Sequence, residues 1–331
     1  MTTYKGTHGT KIQNYTSDPA NPLVGEVWFN DTSDSLKVNA GALVGAWATG
    51  GDLNTARGYL AGAGISTSAL AFGGKASPGN TAATEKYNGT SWTEVNDLNQ
   101  VRRALVGAGT TNTAALAFGG LSPGTDNPGK DVTELWNGTN WTEVNDLNTG
   151  RTYTAGFGTS TAALVGGGAG VGITNTELWN GTNWTEVNDL NLKRRGWGAS
   201  GTTTAGLGFS GYSDPSVPSN FVKNVESWNG TNWTEVNDVN TERGGGPFGC
   251  GTQTSSLFAA GGNPGKVALT ESWNGTNWTE VGDLSSARGQ VGSAGTDNTS
   301  GLVFGSSPFP SPIASTEEWS FSGGIQTIDT D

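Results

Sequence analysis

Apolar residues along this chain fall into short runs separated by breaks rich in Gly, Asn, Thr and Pro, and no run keeps the 3.6-residue spacing of an amphipathic helix. Residues 102–147 show the pattern once. Ala104-Leu-Val-Gly-Ala-Gly109 is followed by the polar break Thr110-Thr-Asn-Thr113 and then by Ala114-Ala-Leu-Ala-Phe-Gly-Gly120. After a loop rich in Pro, Gly and Asp at 121–130 come Val132-Thr-Glu-Leu-Trp136, the turn Asn137-Gly-Thr-Asn140 and Trp141-Thr-Glu-Val144. Four β-type runs bounded by turn residues predict four short strands and essentially no helix. Asn-Gly supplies positive φ at little cost, so the third and fourth runs are expected to form a tight hairpin.

The unit repeats. The stretch Thr133–Asn148 returns nearly verbatim at 176–191, 225–240 and 270–285, with a looser copy at 84–99. Aligned on the second Trp, the copies place Trp92, Trp141, Trp184, Trp233 and Trp278 at spacings of 49, 43, 49 and 45 residues. A four-stranded antiparallel unit at that period predicts the blade of an all-β propeller.

The repeated pattern is a run ending in Phe-Gly-Gly or Gly-Gly, then Glu-x-Trp or Glu-x-Tyr, a second Trp, a Leu and a closing Arg. This resembles the kelch repeat over roughly residues 45–321. The chain departs from kelch in its very short Asn-Gly-Thr-Asn link and its Gly/Ala-rich first strand. The near-identity of the copies, with wording such as Ala-Leu-Ala-Phe-Gly-Gly and Asp-Leu-Asn-Thr-Ala-Arg, also resembles kelch-like repeat proteins of marine bacteriophages. The resemblance implies a virion component: a tail, fibre or surface protein made in a host cytoplasm.

Glu-x-Trp/Tyr occurs six times, ending at Tyr87, Trp136, Trp179, Trp228, Trp273 and Trp319, and the second Trp occurs six times from Trp47 to Trp278. Trp319 lacks a second Trp after it, and Trp47 lacks a Glu-x-Trp before it. The expectation is six blades over 41–322, the last completed by an N-terminal strand around 43–49, which removes the open edges. Residues 1–40 form an extension, with a β-hairpin expected over 25–38 and a possible role in attachment to other virion proteins. Residues 323–331 form an acidic tail expected to fray.

Composition narrows the function. The net charge is −12, which speaks against a nucleic-acid partner because no basic patch is available to displace counterions. No apolar run is long enough to span a bilayer. The first residues lack the apolar stretch of a secretion signal, and one Cys excludes an internal disulfide framework. The single His, His8, lies outside the repeats, so neither a His-based triad nor a well-furnished zinc or copper site is expected, and no cofactor is implied.

Arg57, Arg102, Arg151, Arg194, Arg243 and Arg288 recur once per repeat before the first strand. Glu85, Glu134, Glu177, Glu226, Glu271 and Glu317 recur on the third strand. Asp52, Asp97, Asp146, Asp189, Asp238 and Asp283 recur after the fourth. Charges repeated in every copy read as structural Arg–carboxylate bridges, with an electropositive mouth for an anionic glycan as the alternative. Because these carboxylates are equivalent copies, none stands out as a glycosidase acid. Cys250 shares its slot with Ala63, Ala108, Ser200 and Ala294, which suits a small buried side chain.

What does not repeat is the set of loops after the second strand, of which 211–224 is the longest. Variable loops on a rigid frame suit recognition. Tyr212, Asp214, Phe221, Trp197 and Phe309 are the candidate ligand-binding residues, for a glycan or protein on a host surface. The chain reads as a binder without catalytic residues. The rival readings are a purely structural decoration or tail-tube element and a carbohydrate-active enzyme.

Overall fold

The computed structural model describes residues 12–19, 26–39, 45–124, 129–169, 174–213, 220–246, 248–262, 264–307, 312–320 and 325–328. Among them there is no helix, and the strands form seven four-stranded sheets. The chain divides into two units, Ala46–Ser320 and a smaller one built from Met1–Gly45 with Phe321–Asp331.

The larger unit holds six of the seven sheets, all antiparallel. The first is Ala61–Ile65, Ser68–Phe72, Thr84–Tyr87 and Trp92–Val95, paired in that order. The other first strands are Val106–Thr111, Ala155–Gly158, Gly198–Thr202, Phe248–Thr252 and Gly292–Asp297. Each first strand packs against the first strand of the next sheet, and Gly292–Asp297 packs in turn against Ala61–Ile65. Backbone meets backbone at these contacts. A Cβ on Gly107 would lie 2.3 Å from the Gly62 carbonyl oxygen, and one on Gly62 would lie 2.2 Å from that of Ser293. The Gly/Ala richness of the first run follows from this crowding.

The sixth sheet draws on both ends of the unit. Gly292–Asp297, Ser300–Ser306 and Ile313–Ser320 are completed by Ala46–Thr49, with Trp319 opposite Trp47. Here the repeat breaks its own pattern. Asn96, Asn145, Asn188 and Asn237 each reach across to the Asn-Gly-Thr-Asn turn of the following sheet. The equivalent positions flanking the sixth sheet are Gly282 and Gly51. A Cβ on Gly51 would sit 2.1 Å from the Thr90 carbonyl oxygen, so only Gly fits.

The sheets bury small residues and a few aromatics. The second-strand Phe meets the fourth-strand Trp of the next sheet, as in Phe72–Trp141 and Phe118–Trp184, with ring centroids 4.9 and 5.0 Å apart. Fourth-strand Trp Nε1 donates to a Thr of the third strand of the preceding sheet: Trp141 to Thr84, Trp184 to Thr133, Trp233 to Thr176, Trp92 to Thr316 and Trp47 to Thr270. The sixth member, Trp278, faces Val225 in the same core cluster, and its Nε1 is buried with no partner.

The smaller unit is one sheet, in the order Gln13–Tyr15, Val27–Asn30, Ser35–Asn39 and Ile325–Ile328. Val27–Asn30 and Ser35–Asn39 form the hairpin expected over 25–38. The expected fray of the C-terminal tail is corrected: Ile325–Ile328 pairs antiparallel with Ser35–Asn39. Ile325-Gln-Thr-Ile328 carries β-type residues that find an edge to complete. Trp28 is fully buried there, and its indole N–H donates to Asp18, which the amide of Asn30 also reaches. Those two hydrogen bonds, Asn30 first, hold the Asp18 carboxyl below its ordinary range.

Candidate functional site

The repeated Arg residues come first because they fix what surrounds them. All six are buried, and each pairs with the Glu on the third strand of its own sheet: Arg57–Glu85, Arg102–Glu134, Arg151–Glu177, Arg194–Glu226, Arg243–Glu271 and Arg288–Glu317. The Arg102 and Arg243 contacts are 2.8 and 2.6 Å. Burial pushes every one of these guanidinium groups down from its ordinary value, opposed by the partner Glu. The other carboxylate oxygen accepts the backbone N–H of a residue three positions before the Arg: Asn54, Asn99, Asn148, Asn191, Asn240 or Ser285. That Asn is part of the repeated Asp-Leu-Asn-x-x-Arg wording and was not assigned a role from sequence.

The repeated Asp does something else. Asp97, Asp146 and Asp283 accept the N–H of the Thr that opens the third strand, and Asp52 accepts that of Thr316 within Ile313–Ser320. Holding that backbone N–H, and not pairing with Arg, is their role in those sheets. With their guanidinium groups engaged below the surface, the six Arg do not furnish an open mouth.

Two residues after each Arg, the chain turns at the axis. Tyr59, Ala104, Tyr153, Gly196, Gly245 and Gln290 all have positive φ, between 50° and 73°. For a bulky side chain such as Tyr this is an uncommon conformation that neighbouring contacts must impose. They do so through the backbone. Ala104 N–H donates to Tyr59 C=O at 2.8 Å, Tyr153 to Ala104 at 3.3 Å, Gly196 to Tyr153 at 2.7 Å, Gln290 to Gly245 at 2.9 Å and Tyr59 to Gln290 at 2.8 Å. At these five junctions neighbouring sheets are thus tied together at their innermost point.

Above this girdle lies an open cup of about 340 Å³ lined by Tyr59, Tyr153, Arg195, Gly196, Tyr212, Gly245 and Gln290. The Tyr59 and Tyr153 rings meet edge-on at 6.1 Å. Arg195 lies over the Tyr212 ring at 5.6 Å, and Arg103 over the Tyr59 ring at 5.8 Å. Burial raises the Tyr59 and Tyr212 phenols above their ordinary values, so both stay neutral donors. Two further spaces, of about 120 and 280 Å³, lie between the first strands, the first of them also lined by Tyr59, Ala104, Tyr153, Gly196 and Gln290.

The non-repeated loops share this face. Lys75, Leu121, Ala169, Tyr212 and Gly262 pair with the residue just after each Arg: Gly58, Arg103, Thr152, Arg195 and Gly244. Of the sequence candidates, Tyr212 and Phe221 meet there, rings 4.6 Å apart, at the base of the 211–224 loop. Asp214 and Phe309 lie outside the described residues. Trp197 is corrected: it is 2% exposed and packs against Trp233 in the core. It occupies the slot of Leu60 and Leu105, and Gly208 stands where other second strands carry Ala71 or Ala117. A Cβ on Gly208 would lie 2.3 Å from the indole, so the large residue is accommodated by a small one. Cys250 is buried, and burial pushes its thiol well up.

Sequence reasoning missed Tyr59, Tyr153, Gln290, Arg103 and Arg195. Their signal is a slot inside a repeated frame, one or two residues after the Arg, whose occupant changes from copy to copy. No group of three or more His, Cys, Asp and Glu suited to a metal ion occurs among the described residues. No helix of the described residues is long and apolar enough to cross a membrane.

No protein-family model matches the chain. No curated protein matches it. The chain is similar to a solved structure described as "Structure of YjhT", with a TM-score of 0.67 at 14% identity, over 84% of this chain and 99% of that one. At that identity the likeness establishes the fold, which is of the β-propeller type.

Proposed function

We propose that the larger unit works as a closed six-bladed kelch-like propeller that recognises a partner at the face bearing the cup, and that it binds without catalysing. The observation that carries this reading is where symmetry fails. The buried apparatus of Arg, Glu, Asn, Trp and Thr recurs from sheet to sheet. The residues that differ, Tyr59, Tyr153, Arg195, Tyr212 and Gln290, gather at one mouth. Among the described residues lining that cup there is no carboxylate, His or Cys to act as acid, base or nucleophile. The repeated Glu carboxylates are buried in ion pairs.

In this reading the protein is a virion component: a tail, fibre or surface protein of a marine-type phage. It engages a glycan or protein on a host surface through the cup face and neighbouring virion proteins through the N-terminal segment. The support is the sequence resemblance together with an N-terminal segment that folds into a sheet of its own unit. The test of recognition is to replace 211–224 by the shorter 169–175 loop, confirm an unchanged melting temperature, and measure binding to host cells and to purified particles. Loss of binding is expected, and unchanged binding to both overturns the assignment of this face. Mass spectrometry of purified particles tests the virion placement.

A further inference from the structure

We infer that the axial cup takes one uncharged sugar ring of a host-surface polysaccharide, laid on the Tyr153 ring and hydrogen-bonded by tyrosine hydroxyls and the Gln290 amide. This rests on the recognition role proposed above. The polar groups of the cup decide the ligand class. Among the described residues lining it there is no carboxylate, and the one cation, Arg195, lies over the Tyr212 ring and has a further interaction within the chain, as does Arg103 over Tyr59. Both guanidinium groups are thus already engaged. What remains is neutral: the hydroxyls of Tyr59, Tyr153 and Tyr212 and the amide of Gln290, none of which makes a side-chain hydrogen bond among the described residues. An ionised ligand group would give up water there with no uncommitted counter-charge to replace it. Sugar hydroxyls both donate to and accept from phenols and amides.

The geometry suits a sugar ring. A guanidinium covers a face of Tyr59 and of Tyr212, and Phe221 stacks on Tyr212 at 4.6 Å. Among the described residues the Tyr153 ring meets Tyr59 edge-on and has no cation over it, so its electron-rich face is the platform for the C–H side of a sugar. A Cβ at Gly245 would lie 3.0 Å from Gln290 Nε2 and 3.4 Å from Tyr212 Oη, so an amide and a phenol face one space over a residue that has no side chain. No aliphatic side chain lines the cup among the described residues, which disfavours the apolar anchor of a protein partner. At about 340 Å³ the cup falls within the usual range for a small-ligand site. The girdle of left-handed residues, tied by backbone hydrogen bonds at five junctions, keeps it preformed, which lowers the ordering cost on binding.

The experiment is calorimetric titration of the full chain with neutral maltotetraose, laminaritetraose and mannotetraose and with a carboxylated tetrasaccharide from alginate, at low and high salt. At least one neutral sugar is expected to bind, more tightly than the alginate tetrasaccharide and with an affinity that changes by less than about twofold with salt. Tyr153→Asn, which removes the platform, should weaken it by about tenfold or more. Gln290→Asn, which withdraws the amide, should weaken it by about fivefold, the weight of one hydrogen bond. Asn tolerates the left-handed backbone at both positions. Unchanged melting temperatures certify the folds, and Gln290→Asn alone decides if Tyr153→Asn melts lower. Alginate binding as tight as that of the best neutral sugar, or full binding by the correctly folded variants, overturns the inference while leaving recognition at this face intact. It is likewise overturned, with the recognition role surviving, if no neutral sugar binds although the 211–224 exchange abolishes cell binding.

Discussion

Trp278 shows how much a single repeated residue contributes. In five sheets the fourth-strand indole N–H donates to a Thr hydroxyl, and opposite Trp278 that Thr is Val225. Val225→Thr should therefore stabilise the protein by about 0.5–1.5 kcal/mol, the net worth of one buried hydrogen bond. Thr84→Val should cost at least that much by orphaning Trp141. Chemical denaturation of both variants checks the pair. Tyr87 offers a second test. Its hydroxyl hydrogen-bonds Glu318, and burial first, then that bond, push its pKa from 10.0 up to about 12. A folded-state pKa raised above the unfolded one gives stability that is complete below about pH 10 and lost as the pH rises towards about 12. The slope of stability against pH in that window should shrink in Tyr87→Phe.

At the scale of the element, the unit of construction is one sheet with its Arg–Glu–Asn cluster. The Arg reaches from the link before the first strand to the third strand of the same sheet, and also donates to carbonyls, as Arg102 does to Gly119 and Val132. Arg151→Ala leaves Glu177 buried without its counter-charge and should cost about 3–5 kcal/mol. Arg151→Lys should recover only part of this, because one ammonium cannot reproduce contacts with Gly167, Asn175 and Glu177. Equilibrium unfolding of the two variants decides it. A loss below about 0.5 kcal/mol for the Ala variant would place the pair with solvent-exposed bridges, against its observed burial.

For the whole molecule, the sixth sheet matters most, because Ala46–Thr49 supplies the strand that covers Ile313–Ser320. Deleting Ala46–Thr49 exposes that edge and removes Trp47 from its contacts with Phe248 and Trp319. The truncated protein should melt well below the full chain and aggregate, as read by scanning calorimetry with light scattering. A truncation that melts like the full chain would overturn the reading of the ends as one shared blade.

Read alone, the sequence contained the frame. Strand breaks, Asn-Gly hairpins, the Trp47–Trp319 pairing, an Arg–carboxylate bridge in each copy and the small slot of Cys250 were legible, because each follows from local chemistry or is stated several times over; that the Arg is buried was not, because a charge repeated in every copy fits a buried bridge and an open mouth alike. Repetition also misled: it grouped the Asp with the Glu as partners of Arg, and it hid the Asn whose N–H completes each carboxylate. What only the tertiary structure decided concerns residues that occur once. Tyr59, Tyr153, Arg195, Tyr212 and Gln290 are far apart in the chain, and the slots just after the repeated Arg that hold four of them carry different residues in other copies. The turn from sheet to sheet about the axis, set by glycine-thin backbone contacts, brings them to one cup. The same packing took Trp197 inward over Gly208, and strand pairing returned Ile325–Ile328 to the N-terminal sheet. A periodic pattern reports the environment common to all copies. A site made where the copies differ depends on distances between sheets, which no single run of residues encodes.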